Sequence, residues 1–195
     1  MNLEEAPDCA MLLSARQVAI SALAGPAAAV WLYGRLDGDR RWRTALHEAA
    51  HVVVGMAMEC PITSVSITPN ANSNGRVKHS EKTPDPAVEE WASRRENLRF
   101  QRDERRAIGA LFLALFPSRG RVLRREVRRC KMDAVRMVRD VHREEIVHLA
   151  RELLVKPKMT IDQVADCFVK WSEEHPARSS GFVTMVRKLK MAGAT

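Results

Sequence analysis

The chain of 195 residues carries 32 basic and 24 acidic side chains, a formal net charge of +8. With 46% hydrophobic and 29% charged residues, it is composed like a globular protein, which argues against disorder throughout. Only 5% of the residues are aromatic, which argues against a nucleic-acid platform built by stacking bases on aromatic rings. The length predicts one domain, with or without an appendage.

The N-terminal region contains an uncharged, alanine-rich stretch from Val18 to Gly34. A membrane span needs about 20 predominantly apolar residues, and a signal peptide needs basic rather than acidic residues before its apolar part. We therefore predict a helical appendage over residues 1–40, folded as a pair of helices or one loosely packed helix. We expect a cytoplasmic protein rather than a membrane-tethered one, with reduced thiols at the four widely spaced cysteines.

The next segment predicts the small β element of the fold. A segment of helical character begins at Thr44 and ends before Pro61. In Ile62–Thr68 the side chains then alternate with a period of two residues, which is typical of a strand. After a turn rich in asparagine and glycine, Arg76–His79 is predicted as the returning strand.

The rest of the chain is predicted to be helical. Thr160 and Gln163 fit a capping box, which places a helix start there. The fold class is therefore mainly α with a small β element (α+β), with one domain over 41–175 and a basic tail over 176–195. The predicted helices after the strands cover 87–116, 121 to about 141, 144–155 and 161 to about 175.

Residues His47 to His51 read HEAAH inside the first predicted helix of this domain, which is the HExxH pattern. Residues i and i+4 share one helical face, so both imidazoles can bind one zinc ion. Zinc lowers the pKa of a bound water, whose proton Glu48 can accept and then pass to the leaving amine. With 6 histidines and 15 glutamates in the chain, chance gives roughly 0.014 matches to this pattern.

A catalytic zinc site usually has a third protein ligand, and the metzincin histidine is missing because position 57 is Ala57. Asp133 is the first candidate, since it borders the apolar stripe of its predicted helix. Asp140 lies on the same flank of that helix and is the second candidate. Other downstream candidates stay open: Glu81, Glu89, Glu90, His142 and His148.

Three segments resemble the FtsH-type membrane AAA proteases. Thr44 to Gly55, TALHEAAHVVVG, is similar to the zinc helix of that family, which typically reads TAxHEAGHAxVG. Ile62 to Pro69, ITSVSITP, resembles its KVSIxP strand, and Cys130 to Val138, CKMDAVRMV, resembles the helix that delivers an aspartate to the metal. The likeness covers about residues 44–168 and is strongest over the first 26 of them.

The resemblance implies a mostly helical, FtsH-peptidase-like zincin domain. In it His47 and His51 would bind zinc, Glu48 would be the catalytic acid/base, and Asp133 would be the third zinc ligand. The chain departs from the family at Ala50, where the family has glycine, and it lacks the GGRAAE and TGAxND segments. It also contains no GxxxxGK[ST] motif, so we expect a peptidase without an ATPase in cis.

The strand that follows the zinc helix offers a place for a substrate. An extended peptide can add to the edge of a strand through main-chain hydrogen bonds, and this makes Val65, Ser66 and Ile67 the candidate substrate-binding residues. The sequence thus predicts a zinc metalloendopeptidase. It would cleave flexible protein segments, or substrates delivered by a separate ATPase or adaptor.

The basic excess of the chain supports an alternative function. Residues 91–143 hold 16 basic and 6 acidic residues, a net charge of +10, which leaves −2 for the rest of the chain. Such a stripe is either a solvated helix face or a surface for nucleic acid or an acidic protein. The alternative is therefore an inactive FtsH-peptidase-like binding module that uses this stripe. The oligomeric state stays open.

Overall fold

The computed structural model describes residues 9–33, 39–69, 75–79, 107–111, 114, 120–175 and 186. Within these residues the protein is mainly helical with one three-stranded sheet, which confirms the predicted fold class at that level. A π-helical turn covers Met137–Val141. The helices are α1 (Cys9–Trp31), α2 (Arg40–Ala57), α3 (Gly120–Arg136), α4 (Arg143–Val155) and α5 (Ile161–Glu174), and the strands are β1 (Ile62–Ser66), β2 (Arg76–His79) and β3 (Lys158–Thr160).

The alanine-rich stretch belongs as far as Trp31 to one continuous helix, α1, with Pro26 inside it, rather than to a pair of helices. Its small side chains allow close packing, and Ala24 and Ala28 are fully buried in the same core as Leu46 of α2. In the part of the chain that the structure describes, no helix is both long enough and apolar enough to cross a membrane. The division of the chain at residue 40 stays a prediction, although α1 and α2 share this core.

Helix α2 lies against α1 on one side and α4 on another. It starts at the N-cap Asp39, whose side chain accepts a hydrogen bond from the main-chain N–H of Trp42 at 2.8 Å, the usual way to satisfy a free helical donor. It ends at the C-cap Met58, and Glu59 then takes a positive φ of 57°. This sharp turn directs the chain into β1 only a few residues later.

The sheet has the order β2-β1-β3 with antiparallel pairing on both sides of β1. Val65 stands opposite Val77 of β2 and Met159 of β3. The prediction for β2 is confirmed, whereas β1 ends at Ser66 instead of Thr68. Beyond it, the main-chain N–H of Ile67 donates to the carbonyl of Pro157 at 2.8 Å.

Helix α3 is amphipathic as predicted, with Val127, Cys130 and Ala134 on its buried side. Its helical path then changes, because the main-chain N–H of His142 donates to the carbonyl of Met137, five residues back, at 2.8 Å. This π-helical turn was not predicted.

The predicted start of α5 is confirmed. Thr160 accepts a hydrogen bond from the main-chain N–H of Gln163 at 3.4 Å, and the Gln163 side chain accepts one from the main-chain N–H of Thr160 at 3.1 Å. Of the helix predicted over 87–116, residues 107–111 are helical and most of the others lie outside the described residues. The predicted tail over 176–195 also lies outside the described residues, apart from Val186.

A candidate metal centre between two helices

The two histidines of the HExxH motif point their Nε2 atoms at each other. These atoms lie 3.1 Å apart, and the rings meet edge to face with their centroids 4.7 Å apart. In a tetrahedral zinc site with nitrogen ligands at about 2.0–2.1 Å, two ligand atoms lie about 3.3 Å apart. His47 and His51 therefore have nearly the separation that two ligands of one ion require, and both remain partly exposed.

Helix α1 orients one of these imidazoles. Nδ1 of His51 lies 2.9 Å from the main-chain oxygen of Ser21. A carbonyl oxygen can only accept, so His51 donates from Nδ1–H, and the neutral ring then carries its lone pair at Nε2. Metal-binding histidines are typically held in this way by a hydrogen bond from their second nitrogen.

Gly25 of α1 stands directly against the histidine pair. A Cβ atom at this position would lie 2.4 Å from Nε2 of His51 and 2.7 Å from Nε2 of His47. Both distances are shorter than van der Waals contact, so a side chain would require the helices or the rings to move. Glycine leaves open a small space that borders both nitrogen atoms.

Glu48 lies on the inner side of α2 and is only 6% exposed. Its side chain meets the residue that precedes β2: a Cβ atom on Gly75 would lie 2.6 Å from both Cγ and Oε1 of Glu48. The candidate acid/base is thus held between α2 and the start of β2, next to the histidine that precedes it in sequence.

The structure does not bring the predicted third ligand to the histidines. Among the residues that it describes, no group of three His, Cys, Asp or Glu side chains is placed to hold one metal ion. Asp133 is 47% exposed and lies 3.8 Å from the guanidinium of Arg16 in α1, and Asp140 pairs with Arg139 at 2.6 Å. The acid of α3 that faces inward is Glu126, with a side chain 11% exposed and 3.5 Å from Arg16. The role of Asp133 as a ligand stays a prediction.

The topology corrects the expected mode of peptide addition at Val65 and Ser66. Both residues lie in the central strand, where β2 pairs with one edge and β3 with the other. Since both edges are taken, a peptide cannot add to β1. Ile67 follows the strand and already donates its N–H to Pro157.

A separate groove of about 560 Å³ lies between α4 and α5. His148, Trp171 and His175 stack in its wall, with centroid distances of 5.5 Å and 5.4 Å between successive rings. Nε2 of His148 also lies 3.1 Å from Sγ of Cys167. The groove shares no lining residue with the HExxH motif, and its mixture of acidic and basic residues favours no single ligand charge.

Sequence reasoning missed the contributions of Ser21, Gly25 and Gly75 to this site. Their contacts with α2 join residues that are far apart in the sequence, and a single chain gives no pairing signal for them. The Gly25-Pro26 pair within an alanine-rich helix was the available sign, because glycine in a helix often marks a close approach of another group.

Comparison of the chain with models of known protein families, with curated proteins and with solved structures finds no match. The likeness to the FtsH-type proteases therefore rests on the motif residues themselves.

Proposed function

We propose that this protein is a zinc-dependent metalloendopeptidase. The observation that carries the proposal is the convergence of Nε2 of His47 and Nε2 of His51 at 3.1 Å, with Nδ1 of His51 bonded to a main-chain carbonyl. Together with the HEAAH pattern and its resemblance to the FtsH-type zinc helix, this pair fits two ligands of a single zinc ion. Asp133 is proposed as the third ligand on the resemblance and on its place beside the apolar stripe of α3.

Zinc, when bound, supplies Lewis acidity to a water molecule and to a peptide carbonyl. The carboxylate of Glu48 accepts a proton from the water as its oxygen adds to the carbonyl carbon. The same carboxylate returns the proton to the leaving nitrogen as the C–N bond breaks. Helix α2 carries all three motif residues, so these roles are arranged by one rigid element.

The place proposed for the substrate is β2 instead of β1. In the described sheet β2 is an outer strand, and Gly75 at its start touches Glu48. A peptide added along β2 would run past the carboxylate that moves the proton. Main-chain pairing depends little on sequence, so we expect cleavage of flexible segments, or of substrates delivered by a separate ATPase or adaptor.

The zinc content of the purified protein and its cleavage of an unfolded protein such as casein test the proposal. We expect one zinc ion per chain and cleavage that stops when a chelator is added. Glu48→Gln should retain zinc and lose cleavage by a factor of about 100 or more, the usual contribution of a general acid/base. Glu173→Gln, at an exposed position of α5, is the matched control.

Two results would contradict the proposal. One is wild-type cleavage by Glu48→Gln, and the other is a zinc-free protein that cannot be loaded with zinc. The third ligand is tested separately with Asp133→Ala, which should sharply reduce bound zinc. An unchanged zinc content in Asp133→Ala would show that another residue is the third ligand, with Asp140 as the next candidate. The roles of the motif residues would not be affected.

A further inference from the structure

Helix α3 presents a surface of one charge sign. Six of its arginines are exposed, and with 3.6 residues per turn they fall within an arc of about 140° on the helix. They span about 22 Å along the helix axis. We call this surface the arginine face; its members are Arg121, Arg124, Arg125, Arg128, Arg129 and Arg136.

The three acids of this region lie beyond one edge of the arginine face, where Arg129 is close to Glu126 and Arg136 interacts electrostatically with Asp140. Glu126 and Asp133 lie on the flank that meets α1, 3.5 Å and 3.8 Å from Arg16. Asp140 follows in the π-helical turn and is paired with Arg139 through two contacts of 2.6 Å and 2.8 Å. Within the helix, the guanidinium of Arg129 lies 3.0 Å from the carboxylate of Glu126.

The concentration of arginines on one face destabilises the helix itself. Like charges four residues apart repel each other, as Arg121 does with Arg125 and Arg125 with Arg129. The first turn of α3 contains no acidic residue, although the N-terminus of a helix is the positive end of its dipole. An ordinary solvated face mixes both signs. The concentration of positive charge therefore indicates an anionic partner.

We propose that the arginine face binds the phosphate backbone of duplex nucleic acid without reading its sequence. The planar guanidinium group suits phosphate oxygens, with which it forms paired hydrogen bonds. The length of the face matches an extended row of phosphates, since duplex DNA carries one charge per about 1.7 Å of its axis. This activity does not depend on zinc or on the HExxH motif.

The apolar side of α3 argues against a membrane surface as the partner. A helix that lies in a bilayer interface inserts its apolar face. Here Leu123, Val127 and Cys130 of that face are buried in the protein core. The segment 120–141 also contains no aromatic residue, which favours a duplex over a single strand because single strands are held by stacking.

Fluorescence anisotropy with a labelled duplex of about 20 base pairs, in a series of KCl concentrations, tests this proposal. With one phosphate contact for each of the six arginines, we expect a slope of log K against log[salt] of about −5.4. The triple variant Arg121→Gln/Arg125→Gln/Arg128→Gln should bind at least about 10-fold more weakly, and the magnitude of its slope should be smaller by about 2.7. Each single variant should show a smaller loss, and circular dichroism verifies folding.

The matched control removes the same charge elsewhere, in the triple variant Arg151→Gln/Lys156→Gln/Lys170→Gln, at exposed positions. It should change duplex affinity less than about 2-fold. Equal losses in the two triple variants would show an effect of net charge alone and overturn the proposal. Tighter binding to phosphatidylserine vesicles or to polyglutamate than to the duplex, at the same salt concentration, would overturn it in favour of a membrane or an acidic protein.

Discussion

Gly25 of α1 and His51 of α2 approach so closely that a Cβ atom on residue 25 would lie 2.4 Å from Nε2 of the imidazole. The ring cannot swing aside easily, because its Nδ1 is bonded to the carbonyl of Ser21. The packing of α1 and the geometry of the histidine pair therefore depend on each other.

Gly25→Ala should destabilise the protein, contrary to the usual effect of the substitution in a helix. Alanine is normally favoured over glycine there by roughly 0.5–1 kcal/mol. At residue 25 the added methyl group forces α1 away from α2, and overpacking of this kind costs about 1–3 kcal/mol. Thermal unfolding should show a lower Tm and zinc titration a weaker affinity. An increase in Tm with unchanged zinc affinity would contradict the close approach.

The contact of Arg16 with Glu126 should contribute to stability more than its contact with Asp133. Glu126 is 11% exposed and Asp133 is 47% exposed, so water screens the second pair more strongly. Arg16→Gln should cost about 1–3 kcal/mol, since it removes a partner of a nearly buried carboxylate. Asp133→Asn should cost less than about 1 kcal/mol. A double-mutant cycle by urea unfolding measures both couplings, and the reverse order would contradict the assignment.

The free energy of unfolding should fall as the pH drops below about 6.5. Burial lowers the pKa of His148 from its usual 6.5, and burial also lowers that of His142. The unfolded chain takes up these protons near pH 6.5, whereas the folded protein takes them up only at lower pH. In that window the unfolded state binds more protons, so acid favours unfolding.

Urea unfolding near neutral pH and near pH 5 measures this dependence in wild type and in His148→Gln. The variant should lose part of the dependence because the buried imidazole is gone. His175→Gln, at an exposed position in the same groove, is the matched control. An unchanged pH dependence in His148→Gln would show that its burial does not oppose protonation.

Two cysteines should resist alkylation until the protein unfolds. Burial raises the pKa of Cys130 to about 11 and that of Cys167 to about 12. The thiolate is the reactive form, so at mildly alkaline pH these side chains should react with iodoacetamide far more slowly than a free thiol. Mass spectrometry of labelled peptides, before and after addition of concentrated guanidinium chloride, checks this. Rapid labelling of Cys130 in the folded protein would contradict its burial.

Local patterns in the sequence predicted much of the fold. The turn residues before Arg76–His79 predicted β2 as a returning strand, and the side chains of Thr160 and Gln163 predicted the start of α5, because both signals act between residues close in the chain. The strand β3 has only three residues, too few to show alternation, and forms through its pairing with β1. The π-helical turn leaves no distinct pattern, since its five residues are too few to show a period different from that of an α-helix.

The candidate site likewise has a part that local sequence patterns predicted and a part that they did not. The spacing of His47 and His51 predicted that they share a face, since i and i+4 are neighbours on a helix, and the structure brings their Nε2 atoms together. Asp133 was chosen from the phase of its helix. In the structure Asp133 lies near the flank of α3 that meets α1, and its carboxylate contacts Arg16. Which residue of a distant helix reaches a given point depends on packing, and helix phase does not determine that.

The pairing of β1 with β3 has a consequence for the order of folding. Ser64 stands opposite Thr160, so this contact joins residues 96 positions apart in the chain. Closing so long a loop has a high entropic cost before any contact is gained, and such pairings slow folding. We therefore expect α1 and α2 to associate before the sheet is complete. During synthesis, β1 would gain its second neighbour only after the segment that contains Thr160 has left the ribosome.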